Sequence, residues 1–453
     1  MGAAGHLADD QVDTVLDFLL SDFQERPFPD LVPRNLHIPE IPRKAVTLIG
    51  MRRSGKTYAL FDLMRRLLEQ GMPKERLFYL NLDDERLFEP TVATLDRALE
   101  RFFRRQPDAR ATTSHLFFDE IQVVPGWERF LRRVIDTEDV QVYVTGSSAK
   151  LLSTEVATSF RGRGLAVEVL PFGLKEAAVA HGVEVGSSWP PGARARSRLE
   201  ALTDVYLERG GFPEVQHVDG RDRVQLLQGY VELVLLKDVL ERHGAANLTA
   251  LRHLAHAVFA ANAGQFSVSR LHGALVSQGV KVGKPTLLTY LDHLTDAYLA
   301  FLVPIRSRSA KQRIVNPKKV YAVDTGLVVA MRAGGARELG ALLENLVYLE
   351  LRRRLGRLAE GAISYYRTGS GREVDFTVEP VLPGTTLELV QVCASLQAPP
   401  TRERETRALT EAMTETGVTS GTIVTLGDRE RVSTAAGTIR VVPAWEWVLE
   451  PVA

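Results

Sequence analysis

The chain has 453 residues, a length that predicts about three domains of roughly 150 residues each. Its 56 basic and 56 acidic residues give a net charge of zero, which excludes a uniformly basic histone-like protein and an acidic disordered tail protein. A single cysteine, Cys393, excludes an intrachain disulfide framework and a multi-cysteine zinc site.

Short apolar runs alternate with helical periods in the first third of the chain. Residues 8–24 have a helical period that prolines then end, and a further helix is predicted up to Leu68. Four apolar runs predict buried strands, at residues 45–49, 77–82, 115–119 and 140–145. Strands that alternate with helices predict an α/β fold with a parallel sheet covered on both faces.

The rest of the chain has two further patterns. Residues 183–196 are rich in Gly, Ser and Pro and predict a linker, and the pattern from Glu200 to Ala261 is almost wholly helical. Two helices, at 267–278 and 284–294, predict a helix–turn–helix followed by an extended segment. The C-terminal pattern predicts a helix at 341–356, strands within 363–378, 387–392 and 422–426, and a helix near 402–416.

A complete GxxxxGK[ST] motif lies between a predicted strand and a predicted helix, the context that a phosphate-binding loop requires. Its residues are Gly50, Met51, Arg52, Arg53, Ser54, Gly55, Lys56 and Thr57. Backbone N–H groups of such a loop surround the β-phosphate of ATP. We expect Lys56 to reach the β- and γ-phosphates and Thr57 to bind Mg²⁺ through its hydroxyl.

Two adjacent acids, Asp119 and Glu120, follow the strand predicted at 115–119. About sixty residues after a phosphate-binding loop, such a pair predicts a Mg²⁺-binding Asp119 and a Glu120 that polarises the attacking water. The pair favours hydrolysis over transfer of phosphate to a small molecule.

Thr145 ends the next predicted strand, followed by Gly146, Ser147 and Ser148. A polar residue there either senses the γ-phosphate or simply begins a turn. Arg161 and Arg163 follow on a short segment, and either could reach a neighbouring subunit's γ-phosphate in a ring or be a solvated arginine.

Together these segments resemble the prokaryotic AAA+-type (AAA_14) P-loop ATPases with a C-terminal DUF4143 domain. The resemblance also rests on several later segments. These are Tyr206–Glu214, Lys237–Arg242, Glu344–Glu350, Gly371–Phe376 and Val390–Cys393. It implies a P-loop NTPase (AAA+-like) domain with a helical lid, a winged-helix domain and a C-terminal PD-(D/E)xK-like α/β domain.

Residues 297–323 contain six cations and no Asp or Glu. The six are Arg306, Arg308, Lys311, Arg313, Lys318 and Lys319. On the wing of a winged helix they would contact DNA phosphates, with Lys281 and Lys284 at the start of the recognition helix. The alternatives are a solvated loop and a winged helix that contacts only protein.

The resemblance to a PD-(D/E)xK nuclease places Glu344 and Asp375 at two acidic positions of that fold. The third element reads Gln391-Val392-Cys393, with glutamine in place of an acid and cysteine in place of the lysine. The chain has eleven lysines and none after Lys319, so a migrated lysine is not expected either. We therefore expect a degenerate nuclease-like domain without nuclease activity.

The resemblance predicts five regions. They are an N-terminal helix and strap (1–40), an ATPase core (41–198), a helical lid (199–245), a winged-helix DNA-binding domain (246–335) and a degenerate nuclease-like domain (336–453). The cytoplasm is the expected location, because a secretory signal, a membrane span and a disulfide pattern are all missing.

The function predicted is that of a DNA-binding ATPase that uses ATP and Mg²⁺. It would be a homo-oligomer, with a hexamer as one candidate, that remodels or translocates on duplex, forked or junction DNA. One alternative is a signal-transducing NTPase switch in which ATP controls assembly with a partner. Another is a transcription regulator that uses ATP only as an allosteric ligand.

Overall fold

The computed structural model describes residues 9–146, 164–183, 191–245, 247–332 and 338–450. The chain divides into two compact units, Met1–Val169 and Leu170–Ala453. Within the described ranges, no helix is long and apolar enough to cross a membrane.

The first unit is built on a five-stranded sheet in the order β2-β3-β4-β1-β5, with every neighbouring pair parallel. The strands are β1 (Ala45–Ile49), β2 (Leu77–Asn81), β3 (Ser114–Asp119), β4 (Val140–Thr145) and β5 (Gly164–Glu168). The four predicted strands are confirmed, and three of them (β1, β3 and β4) are buried along their whole length. The sequence missed β5, an edge strand that is mostly only half-buried and therefore lacks a continuous apolar run.

Helices cover this sheet. They are α1 (Asp9–Glu25), α2 (Lys56–Glu69), α3 (Val92–Arg105) and α4 (Trp127–Thr137). Both α1 and α2 lie within about two residues of their predicted ends. A capping box between Thr91 and Thr94 fixes the start of α3. The core contains Leu60 and Met64 of α2 packed with Phe117 and Tyr143 of the strands.

The second unit begins with helices: α5 (Leu174–Ala180), α6 (Ala193–Arg209), α7 (Gly220–Leu233), a π-helical segment (Val234–Glu241) and α8 (Leu248–Ala260). The almost wholly helical pattern expected over 200–261 is present as several separate helices. One break is at Gly210, where φ is 78° and a Cβ atom would lie 2.2 Å from the Asp324 carboxylate. Only glycine fits so close an approach.

Next come β6 (Gln265–Phe266), α9 (Val268–Ser277), α10 (Lys284–Asp296), β7 (Ala300–Val303), α11 (Ala310–Val315) and β8 (Lys318–Ala322). The strands form an antiparallel sheet in the order β6-β8-β7. The two helices of the predicted helix–turn–helix are present. The extended segment expected after them is only partly extended, because Ser309 caps the short helix α11 between β7 and β8.

The C-terminal part consists of α12 (Thr325–Met331), α13 (Leu339–Leu355) and a mixed six-stranded sheet. Its strands are β9 (Ile363–Arg367), β10 (Glu373–Val378), β11 (Glu388–Val392), β12 (Ser420–Thr425), β13 (Glu430–Thr434) and β14 (Gly437–Pro443). Their order is β13-β14-β12-β11-β10-β9. The long helix α14 (Pro399–Thr416) packs on this sheet, and α15 (Ala444–Leu449) ends the described chain. The sequence missed β13 and β14.

Candidate functional site

The loop between β1 and α2 folds closely against neighbouring backbone. A Cβ atom on Gly50 would lie 2.2 Å from the carbonyl oxygen of Val169, so this position requires glycine. Gly55 has a φ of 96° and is the N-cap of α2. The free N–H groups in the first turn of α2 therefore open directly onto the loop, as an anion site needs.

Lys56 lies inside this loop with its side chain buried. Its ammonium donates to two loop carbonyls, that of Gly50 at 3.2 Å and that of Met51 at 3.1 Å. Both acceptors are uncharged, so a phosphate oxygen would be a stronger partner for the ammonium than either of them. The arrangement fits a lysine that is ready to bind phosphate.

Thr57 and Asp119 come together although they lie on different elements. The Thr57 hydroxyl is hydrogen-bonded to the Asp119 carboxylate, which is at the carboxyl end of β3. A hydroxyl and a carboxylate at one point are the oxygen ligands with which nucleotide sites hold Mg²⁺. The donor set therefore fits the predicted ion.

Two further hydroxyl groups hold Asp119 in place. Tyr79 of β2 donates to its Oδ2 at 3.1 Å, and Thr145 of β4 donates to its Oδ1. Burial raises the pKa of Asp119, and its hydrogen bonds with Thr145, Thr57 and Tyr79 oppose that shift. Sequence reasoning missed Tyr79, which lies in a strand that reads only as apolar core.

Glu120 has a left-handed backbone, with φ of 53° and ψ of 43°. Such a conformation is costly for a residue other than glycine and is often found at functional sites. Its backbone N–H donates to the Thr145 hydroxyl at 3.0 Å, and its carboxylate accepts from Gln122. The adjacent acids are thereby held in fixed positions at the end of β3.

Thr145 does not fit the predicted sensor role. Its side chain is fully buried, and its hydroxyl both donates to Asp119 and accepts from the N–H of Glu120. The hydroxyl is committed to the two acids, so Thr145 is a positioning residue. Ser147, Ser148, Arg161 and Arg163 lie outside the described residues.

The segment before β1 also contributes to the loop. Arg34 is buried, and its guanidinium donates to the carbonyl of Ser54 at 3.0 Å while its backbone N–H donates to Asp62 of α2. Asp62 also pairs with Arg65 and Arg66. No local motif marks Arg34, because its contact with the loop spans twenty residues.

The other residues of the motif have different environments. Met51 and Ser54 are buried, Arg52 is half-buried and Arg53 is exposed. Arg53 has a left-handed φ of 66°.

Of the predicted DNA-contacting residues, six are exposed. They are Lys281, Lys284, Arg308, Lys311, Arg313 and Lys318. Arg306 is half-buried and pairs with Glu379 at 2.7 Å. Lys319 is buried and turned away from solvent, so the prediction that it contacts DNA is wrong.

Lys319 instead lies among three carboxylates of the C-terminal part. Its ammonium is 2.7 Å from Glu344, 3.0 Å from Glu373 and 3.0 Å from Asp375. Tyr321 donates a further hydrogen bond of 2.7 Å to Glu344. The expectation that no lysine could reach the nuclease-like acids is therefore wrong, since the last lysine of the chain reaches them from β8.

The acids keep Lys319 charged. Burial alone would lower the pKa of Lys319, but Asp375, Glu344 and Glu373 outweigh it and raise that pKa. Burial and the Asp375 carboxylate raise the pKa of Glu344, and pairing with Lys319 opposes that shift. The cluster is an ion-pair network around a buried lysine.

Asp375 makes further contacts through its second carboxylate oxygen and its backbone N–H. Its Oδ2 accepts from the N–H of Val392 at 2.9 Å, and its own N–H donates to Gln391. Gln391 in turn donates to Glu405 at 2.7 Å. Cys393 packs in the apolar core of this sheet. Within the described ranges, no group of three or more His, Cys, Asp or Glu residues is arranged to hold a metal ion.

Family models match three consecutive parts of the chain. Residues 42–178 match an AAA domain (AAA_14), residues 200–338 a domain of unknown function (DUF8612) and residues 339–447 a domain of unknown function (DUF4143). The chain is 31% identical over 432 residues to the uncharacterised protein MJ1544 of Methanocaldococcus jannaschii, covering 92% of this chain and 91% of that protein. The chain belongs to this family of P-loop ATPases with a C-terminal DUF4143 domain.

Two other proteins are similar over most of the chain. An uncharacterised protein of Haemophilus influenzae is 28% identical over 329 residues, which are 72% of this chain and 77% of that protein. The Walker-type ATPase PABY2304 of Pyrococcus abyssi is similar in structure over 72% of this chain and 96% of its own, with 16% identity and a TM-score of 0.41.

The parallel sheet and the AAA domain match support an AAA+-like fold in the first unit. The homology supports nucleotide binding and ATP hydrolysis.

Proposed function

We propose that this chain is a DNA-binding AAA+-type ATPase that works as an oligomeric motor on duplex, forked or junction DNA. The observation that carries the DNA part is the acid-free connection between β7 and β8 beside a helix–turn–helix, where three cations remain exposed and Lys318, the first residue of β8, adds a fourth. The nucleotide site is the part of the protein that would hydrolyse ATP.

In the nucleotide site, Lys56 exchanges its two carbonyl acceptors for the β- and γ-phosphate oxygens of ATP. Thr57 and Asp119 would hold Mg²⁺, which would neutralise charge on the phosphates. Glu120 accepts a proton from the attacking water, and its fixed backbone aims the carboxylate. Tyr79 and Thr145 keep Asp119 oriented.

Residues 248–322 support the proposal of a winged-helix domain. They run helix, strand, helix, helix, strand, connection, strand, and the three strands pair as one antiparallel sheet. In such a domain α10 enters the major groove and the connection contacts the backbone. Lys281 and Lys284, at the start of α10, are exposed as that role requires.

We further propose that the C-terminal domain is a PD-(D/E)xK-like fold that no longer cuts DNA. Lys319 lies within 3.0 Å of all three carboxylates, where a divalent cation would have to bind. Asp375 also commits its second oxygen to backbone. The purified protein with Mg²⁺ or Mn²⁺ should leave plasmid, fork and junction DNA intact, and cleavage that an Asp375→Ala variant loses would contradict this.

The deciding experiment measures the ATPase rate with and without duplex, forked and junction DNA, together with the native mass. DNA that accelerates hydrolysis by about tenfold or more, in a protein whose mass is that of a homo-oligomer, supports the motor; a hexamer is the ring to look for. A monomer whose rate does not respond to DNA contradicts the motor and supports the nucleotide-controlled switch.

A further inference from the structure

The connection between β7 and β8 carries two adjacent apolar side chains that face solvent, which form what is called its tip below. Ile314 and Val315, the last residues of α11, are 78% and 71% exposed. They are the most exposed large hydrophobic side chains in the part of the chain that the structure describes. Two adjacent aliphatic side chains in water at a tip are unfavourable unless a partner covers them.

Cations surround these two side chains in the sequence and are themselves exposed. Arg308, Lys311, Arg313 and Lys318 form no ion pair within the described residues, and Arg313 donates only to the carbonyl of Ser307. No acid occurs between residues 297 and 323. The partner that covers the tip must therefore be apolar at its centre and anionic around it.

Tyr365 of β9 contacts both ends of the connection, which together form its base. Tyr365 accepts from the N–H of Arg306 at 2.6 Å and donates its own N–H to Pro304 at 3.0 Å, on the β7 side. Its hydroxyl donates to the carbonyl of Pro317 at 2.7 Å, on the β8 side. The ion pairs of Lys319 then hold β8.

This base makes the connection stiff, because its two ends cannot separate or slide without breaking contacts with the C-terminal domain. A stiff basic connection with an apolar tip can transmit force to what it touches. A mobile loop would instead adapt to its partner.

We propose that the tip of the β7–β8 connection is a wedge that inserts Ile314 and Val315 between stacked base pairs of DNA at a fork or a flexible step. This inference rests on the proposed DNA binding. Stacked bases are the apolar centre and phosphates the anionic rim that the tip requires, and inserted aliphatic side chains are a known means of unstacking a step. The Lys319 cluster then has a mechanical role, since it holds the wedge in place.

The test uses the full-length protein and a forked duplex that carries 2-aminopurine next to the junction. The variant is Ile314→Ser with Val315→Ser, which leaves every cation in place. Val276→Ser is the matched control, because Val276 is 54% exposed on α9 of the same domain. Fluorescence reports unstacking of the base and anisotropy reports binding.

We expect the parent protein to raise the fluorescence about twofold or more, because the base next to the wedge is unstacked. The double variant should lose this rise while its affinity falls by less than about tenfold, since phosphate contacts supply most of the affinity. The control should behave as the parent does.

Three outcomes would overturn the wedge. The parent binds DNA without a rise in fluorescence, the double variant keeps the rise, or the double variant no longer binds at all, which would make the tip an ordinary DNA-binding element. In all three cases the proposed DNA binding stands, because the parent protein binds DNA. If the parent protein itself fails to bind DNA, the proposed function falls with the wedge.

Discussion

Two buried lysines in this molecule have opposite kinds of partner. Lys56 in the first unit donates to the backbone carbonyls of Gly50 and Met51, which carry no charge. Lys319 in the second unit lies within 3.0 Å of three carboxylates. Both side chains are almost fully enclosed, so burial alone does not distinguish them.

The partners of each lysine determine its role. Carbonyl contacts are worth little more than the contacts with water that they replace, so an incoming phosphate can take the ammonium from them. Three carboxylates around a buried ammonium hold it far more strongly, and removing one partner of such a network leaves uncompensated charge. Lys56 is therefore available to a ligand and Lys319 is part of the structure.

The largest expected effect is loss of nucleotide turnover on replacing Lys56. Lys56→Ala should abolish hydrolysis, while the free energy of unfolding changes by less than about 1.5 kcal/mol because the hydrogen bonds that it loses to Gly50 and Met51 are to uncharged backbone carbonyls. Steady-state ATPase assays and thermal melts measure the two quantities, with Lys175→Ala as an exposed-lysine control. If the Lys56→Ala protein is unfolded, Lys56 is needed for stability as Lys319 is, and the difference inferred between the two lysines is wrong.

Glu120→Gln separates binding from chemistry at the same site. The variant keeps the size and backbone contacts of Glu120 but cannot accept a proton from water, so hydrolysis should fall by about 10²- to 10⁴-fold. Nucleotide affinity, followed with a fluorescent ATP analogue, should stay within a few-fold of the parent. Hydrolysis at the parental rate would refute the role assigned to Glu120.

Whereas Lys56→Ala should mainly reduce nucleotide turnover, Lys319→Met should mainly reduce stability. It leaves three carboxylates without their cation, which should destabilise the second unit by about 3–5 kcal/mol. Replacing Glu344 and Asp375 by Gln and Asn in the same chain should restore much of that stability. Urea unfolding of the three proteins checks this, and a Lys319→Met protein as stable as the parent would show that the cluster is not a buried ion network.

The sequence predicts the two lysines with unequal success, for a physical reason. The phosphate-binding loop is a local motif whose chemistry lies in eight consecutive residues, so it can be read directly. Lys319 meets Glu344 and Asp375 across 25 and 56 residues. Lys318, the first residue of β8, is exposed, whereas Lys319 and the three residues after it are buried, a distinction that a count of charges in a loop cannot make.

The same limits apply elsewhere. The mainly apolar runs of β1, β3 and β4 indicate buried strands, whereas β5 and β13 are half-exposed and are harder to recognise in the sequence. The sequence places Thr145 correctly at the end of β4, but only the structure shows that its hydroxyl serves the acids of β3.

A smaller effect is expected from the exposed cations that precede Lys319 in the chain. Replacing Arg308, Lys311, Arg313 and Lys318 by Gln should weaken DNA binding and reduce the slope of log affinity against log salt by about 0.9 for each phosphate that the protein no longer neutralises. Titrations at several salt concentrations measure the slope, with Lys175→Gln as control. An unchanged slope would mean that these cations do not touch DNA.

The smallest expected effect is the pH dependence of stability that a buried histidine causes. Within the described residues, this histidine has neither the carbonyl partners of Lys56 nor the carboxylate partners of Lys319. His115 of β3 is buried, and its Nδ1 has no hydrogen-bond partner among the residues that the structure describes. Burial, aided by the nearby Arg76, lowers the pKa of His115 from 6.5 to about 4. The unfolded chain therefore binds more protons than the folded one between these values, so the stabilising contribution of His115 is full above pH 6.5 and is lost as the pH falls towards 4.

Between pH 7 and 5.5, the free energy of unfolding of the parent should fall by about 1 kcal/mol more than that of a His115→Leu variant. The variant has no imidazole to protonate, and the contributions of all other groups cancel. Paired urea titrations of the two proteins measure the difference. Equal losses would show that His115 gains a partner when it is charged, as Lys319 has and Lys56 can acquire.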